Sequence, residues 1–166
     1  KRGICLTSKP EDFGVFGDET NLVFNLANNH IMDSGEPGLL DTIQYVEERK
    51  IPFFGAGKSR DEAFRPLEIS FSGTKVAFFG AAHREGKIAG LNSSGVFCVW
   101  KNRTFLKRRI RALKRKSSWV VFNYHGGEEF SFFPMPKRRR FLKKVLDWGA
   151  DIIVCHHSHV VQGYET

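Results

Sequence analysis

Long apolar runs are missing from this chain of 166 residues: no stretch approaches the roughly 18 apolar residues needed to cross a bilayer, and the start has no secretory signal pattern. The chain opens at Lys1 without a methionine, which reads as an excised or processed piece. Cysteine is scarce. Cys5, Cys98 and Cys155 are too few and too scattered for a disulfide framework or a structural zinc knuckle, although Cys155 abuts histidines and could be an oxidisable thiol. Gly55-Ala-Gly57 lacks the third glycine and the helix opening of a dinucleotide fingerprint, which excludes that cofactor motif. There is no internal repeat, low-complexity segment or domain linker. What remains is a single-domain length with 41% hydrophobic residues and 16 phenylalanines, enough to bury a substantial core.

Acidic residues are outnumbered, 18 against 26 lysines and arginines, giving a net charge of +8. The distribution matters more than the total, because residues 101 to 116 carry nine basic residues and no acidic one, and 137 to 144 add six more. Both segments are amphipathic at helical spacing, with Leu106, Ile110 and Leu113 on one face of the first. Phe141, Leu142, Val145 and Leu146 do the same in the second. They read as two packed helices with basic outer faces, or as a surface for nucleic acid, anionic lipid or another polyanion. Nucleic acid has the charge in its favour but no recognisable motif or base-stacking pattern.

Alternation of apolar runs and helical patterns predicts an α/β architecture. Residues 22 to 27, 51 to 55, 96 to 100, 119 to 124 and the run after Gly149-Ala150 read as strands, the last as a buried parallel one. Residues 35 to 49 read as a helix with Pro37 near its first turn, and Ser59 with Glu62 as the capping box of a short helix through Phe64. Leu67 to Phe71 and Lys75 to Phe79 read as a hairpin, Gly55 to Gly57 as a loop, and 81 to 95 as a glycine-rich loop near the site.

Five of the six histidines lie just past apolar runs: His30, His125, His156, His157 and His159, with His83 apart from them. Ligands in open α/β sheets bind beyond the carboxyl ends of strands, and neutral imidazole is the commonest metal-binding side chain. His157 and His159, one residue apart on a loop, can turn both rings toward one cation. Asp33 stands close behind Asn28-Asn29-His30, and Glu128 and Glu129 follow His125. Together these groups read as a convergent polar site.

The ordered set Asn-Leu-Ala-Asn-Asn-His-x-x-Asp-x-Gly at 25 to 35, Gly-Ala-Gly at 55 to 57, His-x-Gly-x-Glu at 125 to 129 and His-His-x-His-Val-x-Gln at 156 to 162 resembles the CapA-type capsule biosynthesis proteins. These are linked to poly-γ-glutamate capsules and belong to the calcineurin-like metallophosphoesterase superfamily. The resemblance implies a metallophosphoesterase β-sandwich flanked by helices, and a divalent-metal hydrolase site with two ions of manganese, iron or zinc. It casts His30 as the acid that protonates or steadies a leaving oxygen. Asn29, His125, His157 and His159 become metal ligands, with Asn28, Asp33, Glu129 and His156 in supporting or substrate contacts. An anionic polymer or phosphoester is the implied substrate, a capsule synthase complex the implied partner, and a membrane-associated or cell-surface location the implied setting.

The same resemblance implies an incomplete domain, residues 1 to 166 lacking the family's upstream Gly-Asp and Asn-Leu-Glu motifs and its last Leu-Gly-Asn-Phe strand. Gly17-Asp18 lies only 11 residues before Asn29, closer than the family spacing, so Asp18 reads as a turn residue or helix cap. A dinuclear centre holds its cations about 3.5–4 Å apart and needs anionic ligands to balance them. Neutral histidine and asparagine dominate here, so metal is expected to bind this piece weakly. The rival expectation is a non-catalytic scaffold whose basic helices, through Arg108, Arg109 and Arg111, hold anionic polymer or the synthase.

Overall fold

The computed structural model describes residues 5–16, 22–83 and 87–166. The Asp18 reading therefore lies outside the described residues. After a short 3-10 helix at Pro10–Phe16 come β1 (Phe24–Asn25), α1 (Gly35–Glu48), β2 (Phe53–Phe54), β3 (Ala56–Gly57), α2 (Arg60–Ala63), β4 (Leu67–Phe71) and β5 (Thr74–Ala82). They are followed by β6 (Gly95–Val96), α3 (Arg103–Lys114), β7 (Trp119–His125), α4 (Pro136–Asp147) and β8 (Ile152–His156). Among the described residues no helix is long and apolar enough to cross a membrane.

The main sheet has the order β4-β5-β7-β8, with β4 antiparallel to β5 and the other two pairs parallel. Val120, Phe122 and Tyr124 alternate along β7 toward one face, where they join Phe79 and Ala81 of β5. Onto that face pack Leu106, Ile110 and Leu113 of α3, spaced i, i+4, i+7, and Phe141 and Val145 of α4. The Phe79 ring stacks on Phe122 at 4.8 Å and tilts against Phe64 at 5.2 Å. Burying rings of this size contributes roughly 1.5–3 kcal/mol each. Leu146 departs from the expected buried face of α4 and is exposed. One residue past Val145 it turns about 100° around the helix, off the stripe.

The predicted final strand forms in parallel register, but it is an edge rather than a buried strand. Its only neighbour among the described residues is β7, and Ile152 and Val154 remain 44% and 39% exposed. They share a face with half-exposed Trp119, opposite the helices. Asp151 anchors the entry to β8. Its carboxylate accepts from Lys114 Nζ at 2.7 Å and from the Val120 amide at 2.8 Å, while its own amide donates to Val120 O.

Gly55-Ala-Gly57 is not a loop: Ala56 and Gly57 pair antiparallel with Val96 and Gly95, a ladder too short for periodicity to reveal. Ser59 caps α2 as expected, accepting from the Glu62 amide at 3.3 Å. The Glu62 carboxylate reaches back to the Lys58 amide at 3.0 Å, one residue before the cap.

Glu68 on β4 joins the hairpin to the end of α3, accepting from Lys75 at 2.5 Å and, at closer range, from Lys116. Hydrogen bonds from Lys116 and then Lys75 hold its carboxyl below the ordinary 4.5. A depressed folded value stabilises the protein above the unfolded value, and the contribution is lost as pH falls through the folded one. Glu68→Gln is expected to lower stability at pH 7 by about 1 kcal/mol or less. The gap between variant and parent in thermal melts should narrow as the pH is taken down below the ordinary carboxylate range.

Candidate functional site

The site forms because four chain segments end at one level. Ala82, His125 and His156 occupy the same rung of the parallel ladder, so the loops leaving β5, β7 and β8 start side by side. The Asn28 to His30 segment is brought beside them by close backbone approach. Asn25 Oδ1 accepts from the Ala27 amide at 3.0 Å, and this turn sits against Gly55 and Gly80. A Cβ on Gly80 would lie 2.5 Å from Asn25 Oδ1 and 2.9 Å from Ala27 Cβ. From the other side, Leu39 and Ile43 of α1 close a second core with Leu26, Ala82 and Val96.

A directional hydrogen-bond chain runs through the predicted residues. Asp33 Oδ2 and His30 Nδ1 are 2.7 Å apart, so the ionised carboxylate accepts and assigns the His30 proton to Nδ1. His30 Nε2 then accepts from Asn29 Nδ2 at 3.1 Å, and Asn29 Oδ1 accepts from His125 Nε2 at 2.9 Å. Asn28 Oδ1 secures the turn by accepting from the His30 amide at 2.9 Å. The Leu6 amide, donating at 2.9 Å, and then the His30 ring hold the Asp33 carboxyl below its ordinary range. Asp33 therefore stays an anion that fixes the tautomer and orientation of His30.

The two loops beyond β7 and β8 are zipped together. Gly126 N donates to His156 O at 3.2 Å, Phe130 N to Ser158 O at 2.7 Å, and Gln162 Nε2 to Ser131 O at 2.7 Å. His157 and His159 are held there at φ 95° and 56°, left-handed conformations that cost a side-chain-bearing residue of order 1–3 kcal/mol each. Their rings lie 5.8 Å apart, and His157 is 5.0 Å from His125. Glu129, His157 and His159 place one ligand atom each within 4.8 Å of one another. The His157 side chain is only 6% exposed, with Nε2 3.7 Å from Glu129 Oε1. Its buried Nδ1 has no hydrogen-bond partner among the described residues.

These groups fit a divalent cation. Asn29 Oδ1 and His125 Nε2, 2.9 Å apart, are an oxygen and a nitrogen that could both turn to one cation. Cation binding there would displace the proton now shared between them. An orphaned imidazole nitrogen is the second sign, and the mixed nitrogen and oxygen donors suit manganese, iron or zinc.

The structure thus gathers Asn29, His30, Asp33, His125, His157 and His159, and it moves Glu129 from a supporting position into the ligand cluster. That carboxylate partly answers the shortage of negative charge among the histidines. The signal for it was its place at the end of His-x-Gly-x-Glu, four residues past His125. His156 ends β8 rather than starting the loop, and its ring stacks 6.5 Å from His125 and 3.5 Å from Asn123 Oδ1. Burial pushes the His156 imidazole below its ordinary 6.5. Glu128 turns away to Arg138 at 2.5 Å. His83 donates its amide to His125 O at 3.0 Å and accepts from Cys98 Sγ at its own carbonyl, so it braces the site through backbone.

The bacterial capsule synthesis protein family PGA_cap matches residues 1–166. The capsule biosynthesis protein CapA of Bacillus anthracis is 33% identical over 170 residues, covering 99% of this chain and 41% of that protein. The PGA biosynthesis protein CapA of Bacillus subtilis strain 168 is 32% identical over 165 residues, covering 98% of this chain and 43% of that protein. The chain therefore spans about two-fifths of the length of these relatives. The structure of Haemophilus influenzae NAD nucleotidase superposes with a TM-score of 0.57 at 17% identity, over 94% of this chain and 27% of that one, a likeness of fold. With the family matching every residue from 1 to 166, and two relatives alike along nearly all of the chain, this chain belongs to the CapA-type bacterial capsule synthesis proteins and has a metallophosphoesterase-like α/β fold.

Proposed function

We propose that this chain carries a metal-dependent, phosphoesterase-like hydrolytic site serving poly-γ-glutamate capsule synthesis. The observation that supports it best is the convergence of Asn29 Oδ1 and His125 Nε2, 2.9 Å apart, beside the orphaned Nδ1 of His157. Asn29, His125, His157, His159 and Glu129 would hold the cation, which supplies Lewis-acid charge to a substrate oxygen. The substrate would be a phosphoester or another linkage at the end of an anionic polymer, with a capsule synthase as partner.

His30 is the acid in this reading. Asp33 holds its Nδ1, and once protonated, Nε2 would leave its bond from the Asn29 amide and carry the proton toward a leaving oxygen. General acid catalysis is worth about 10²–10⁴ in rate. His30→Gln should lower kcat by about that factor and flatten the pH–rate profile, with manganese affinity changed less than about threefold. Unchanged kcat sinks the role of His30, and absence of any metal-stimulated turnover sinks the hydrolytic reading.

The scaffold alternative draws on the outward cations of α3. Arg108 and Arg111 are exposed, and Arg109 lies 3.9 Å from Asp61. It requires polymer binding that chelation leaves untouched and that charge reversal at Arg108, Arg109 and Arg111 weakens.

A further inference from the structure

Beside the histidine cluster lies a cavity of about 440 Å³ that the motifs did not announce. It shares a wall with the site, since Tyr124 precedes His125 and Glu128 precedes Glu129. Its lining holds five basic residues, Arg103, Lys137, Arg138, Arg140 and Lys144, against the single carboxylate of Glu128. Arg138, 12% exposed, is spent on Glu128 and on the Tyr124 hydroxyl, to which its Nε donates at 3.3 Å. Gly127 permits that approach, because a Cβ there would lie 3.0 Å from Arg138 Nη1. The other four cations have no ion-pair partner among the described residues.

Their placement runs against helix electrostatics. Arg103 is the first residue of α3, and Lys137 and Arg138 lie in the first turn of α4. Neither helix has an acidic residue in that turn, and neither Asn102 nor Met135 caps with its side chain. Cations at a helix N-terminus add to the positive end of the macrodipole and are destabilising there. Both helices meet this cavity with their positive ends, so an anion seated there relieves both penalties.

The spread of the charges indicates the kind of anion. Lys137, Arg140 and Lys144, at i, i+3 and i+7, extend over roughly 10 Å of α4 rather than converging on one point. Between them and Arg103 lies an aromatic floor. Arg103 stacks over Trp100 at 4.6 Å and Phe141 at 5.2 Å, and Tyr124 adjoins Phe141 at 6.2 Å. Spaced single charges over apolar rings match a flexible chain of carboxylates separated by methylene groups better than one compact phosphate.

We propose that this cavity is a binding subsite for a γ-linked polyglutamate segment, seating carboxylates on Arg103, Lys137, Arg140 and Lys144 and directing the chain toward the His125–His157 cluster. It deepens the functional reading above and rests on it for the polymer's role, while the binding itself needs no metal.

The test is fluorescence anisotropy of a dye-labelled γ-linked glutamate decamer with this chain in EDTA. Arg103→Glu/Arg140→Glu is expected to weaken binding by about tenfold or more, while Lys107→Glu/Arg115→Glu, with the same charge change on α3 and its C-cap outside the cavity, shifts it less than about threefold. Tripolyphosphate should compete only at about tenfold or higher excess over an unlabelled decamer. Circular dichroism checks that both variants fold. No binding by the parent chain, equal losses in the two variants, or tripolyphosphate competing as well as the decamer overturns the proposal. Binding is read in chelator and turnover in a separate assay with added manganese, so binding without metal-dependent turnover refutes the hydrolytic reading alone, and turnover without decamer binding refutes the subsite alone.

Discussion

His157→Gly is expected to lower the affinity of this chain for manganese or zinc by about a hundredfold or more in calorimetric titration, and to remove metal-stimulated ester hydrolysis. Altering groups that merely orient ligands already costs about 10–100-fold in metal affinity, so loss of a ligand belongs at or above that range. His157 is the choice because its features have no other explanation in the fold. It is 6% exposed, its Nδ1 lacks a partner among the described residues, and its backbone is held at φ 95°. A histidine kept for packing would sit in a relaxed conformation with its polar atoms satisfied. Glycine accepts that backbone angle without strain, so the metal-free variant should melt within a few degrees of the parent. A large fall in melting temperature with metal affinity retained marks His157 as a structural residue and removes the centre of the metal assignment.

Gly80→Val should produce the second large effect, and by a route that touches no polar group of the site. The new Cβ alone would lie 2.5 Å from Asn25 Oδ1 and 2.9 Å from Ala27 Cβ, and valine adds two methyl groups. Overpacking of this kind costs about 1–3 kcal/mol. The strain has one outlet, which is outward movement of β1 and the segment after it, because β5 is pinned by β4 on one side and β7 on the other. That movement separates Asn29 from His125, and a displacement near 1 Å is enough for about a hundredfold loss in catalysis. The expected result is a lowered melting point together with metal affinity reduced about tenfold or more. Weakened stability with unchanged metal binding shows that β1 moves without carrying Asn29 away from His125.

Several elements were legible because their causes are local. The spacing of Leu106, Ile110 and Leu113 writes one helical face, Ser59 with Glu62 writes a cap, and Ser72-Gly73 between two β-branched or aromatic runs writes a hairpin. Histidines at the ends of apolar runs were legible as a site for a related reason: consecutive parallel strands run the same way, so their carboxyl ends lie on one edge of the sheet. Other features depend on partners distant in sequence. The β3–β6 ladder joins residues 56 and 96 through two rungs, which leaves no period to read. The outer position of β8 depends on strand order, and an apolar run of five residues reads alike at an edge or a centre.

By itself the sequence determined the α/β class, the family and the roster of polar residues, since hydrophobic period and motif order are properties of neighbours along the chain. Only the tertiary structure decided which roster members meet. It separated Glu129, drawn to His157 and His159, from Glu128, drawn to Arg138, although the two are adjacent in sequence. It also turned two basic helices into one cavity by setting their N-terminal ends against the same stretch of β7. Helical periodicity states which face is buried, but the direction and height at which two helices meet are set by packing against a shared sheet, and that information is carried by contacts rather than by order along the chain.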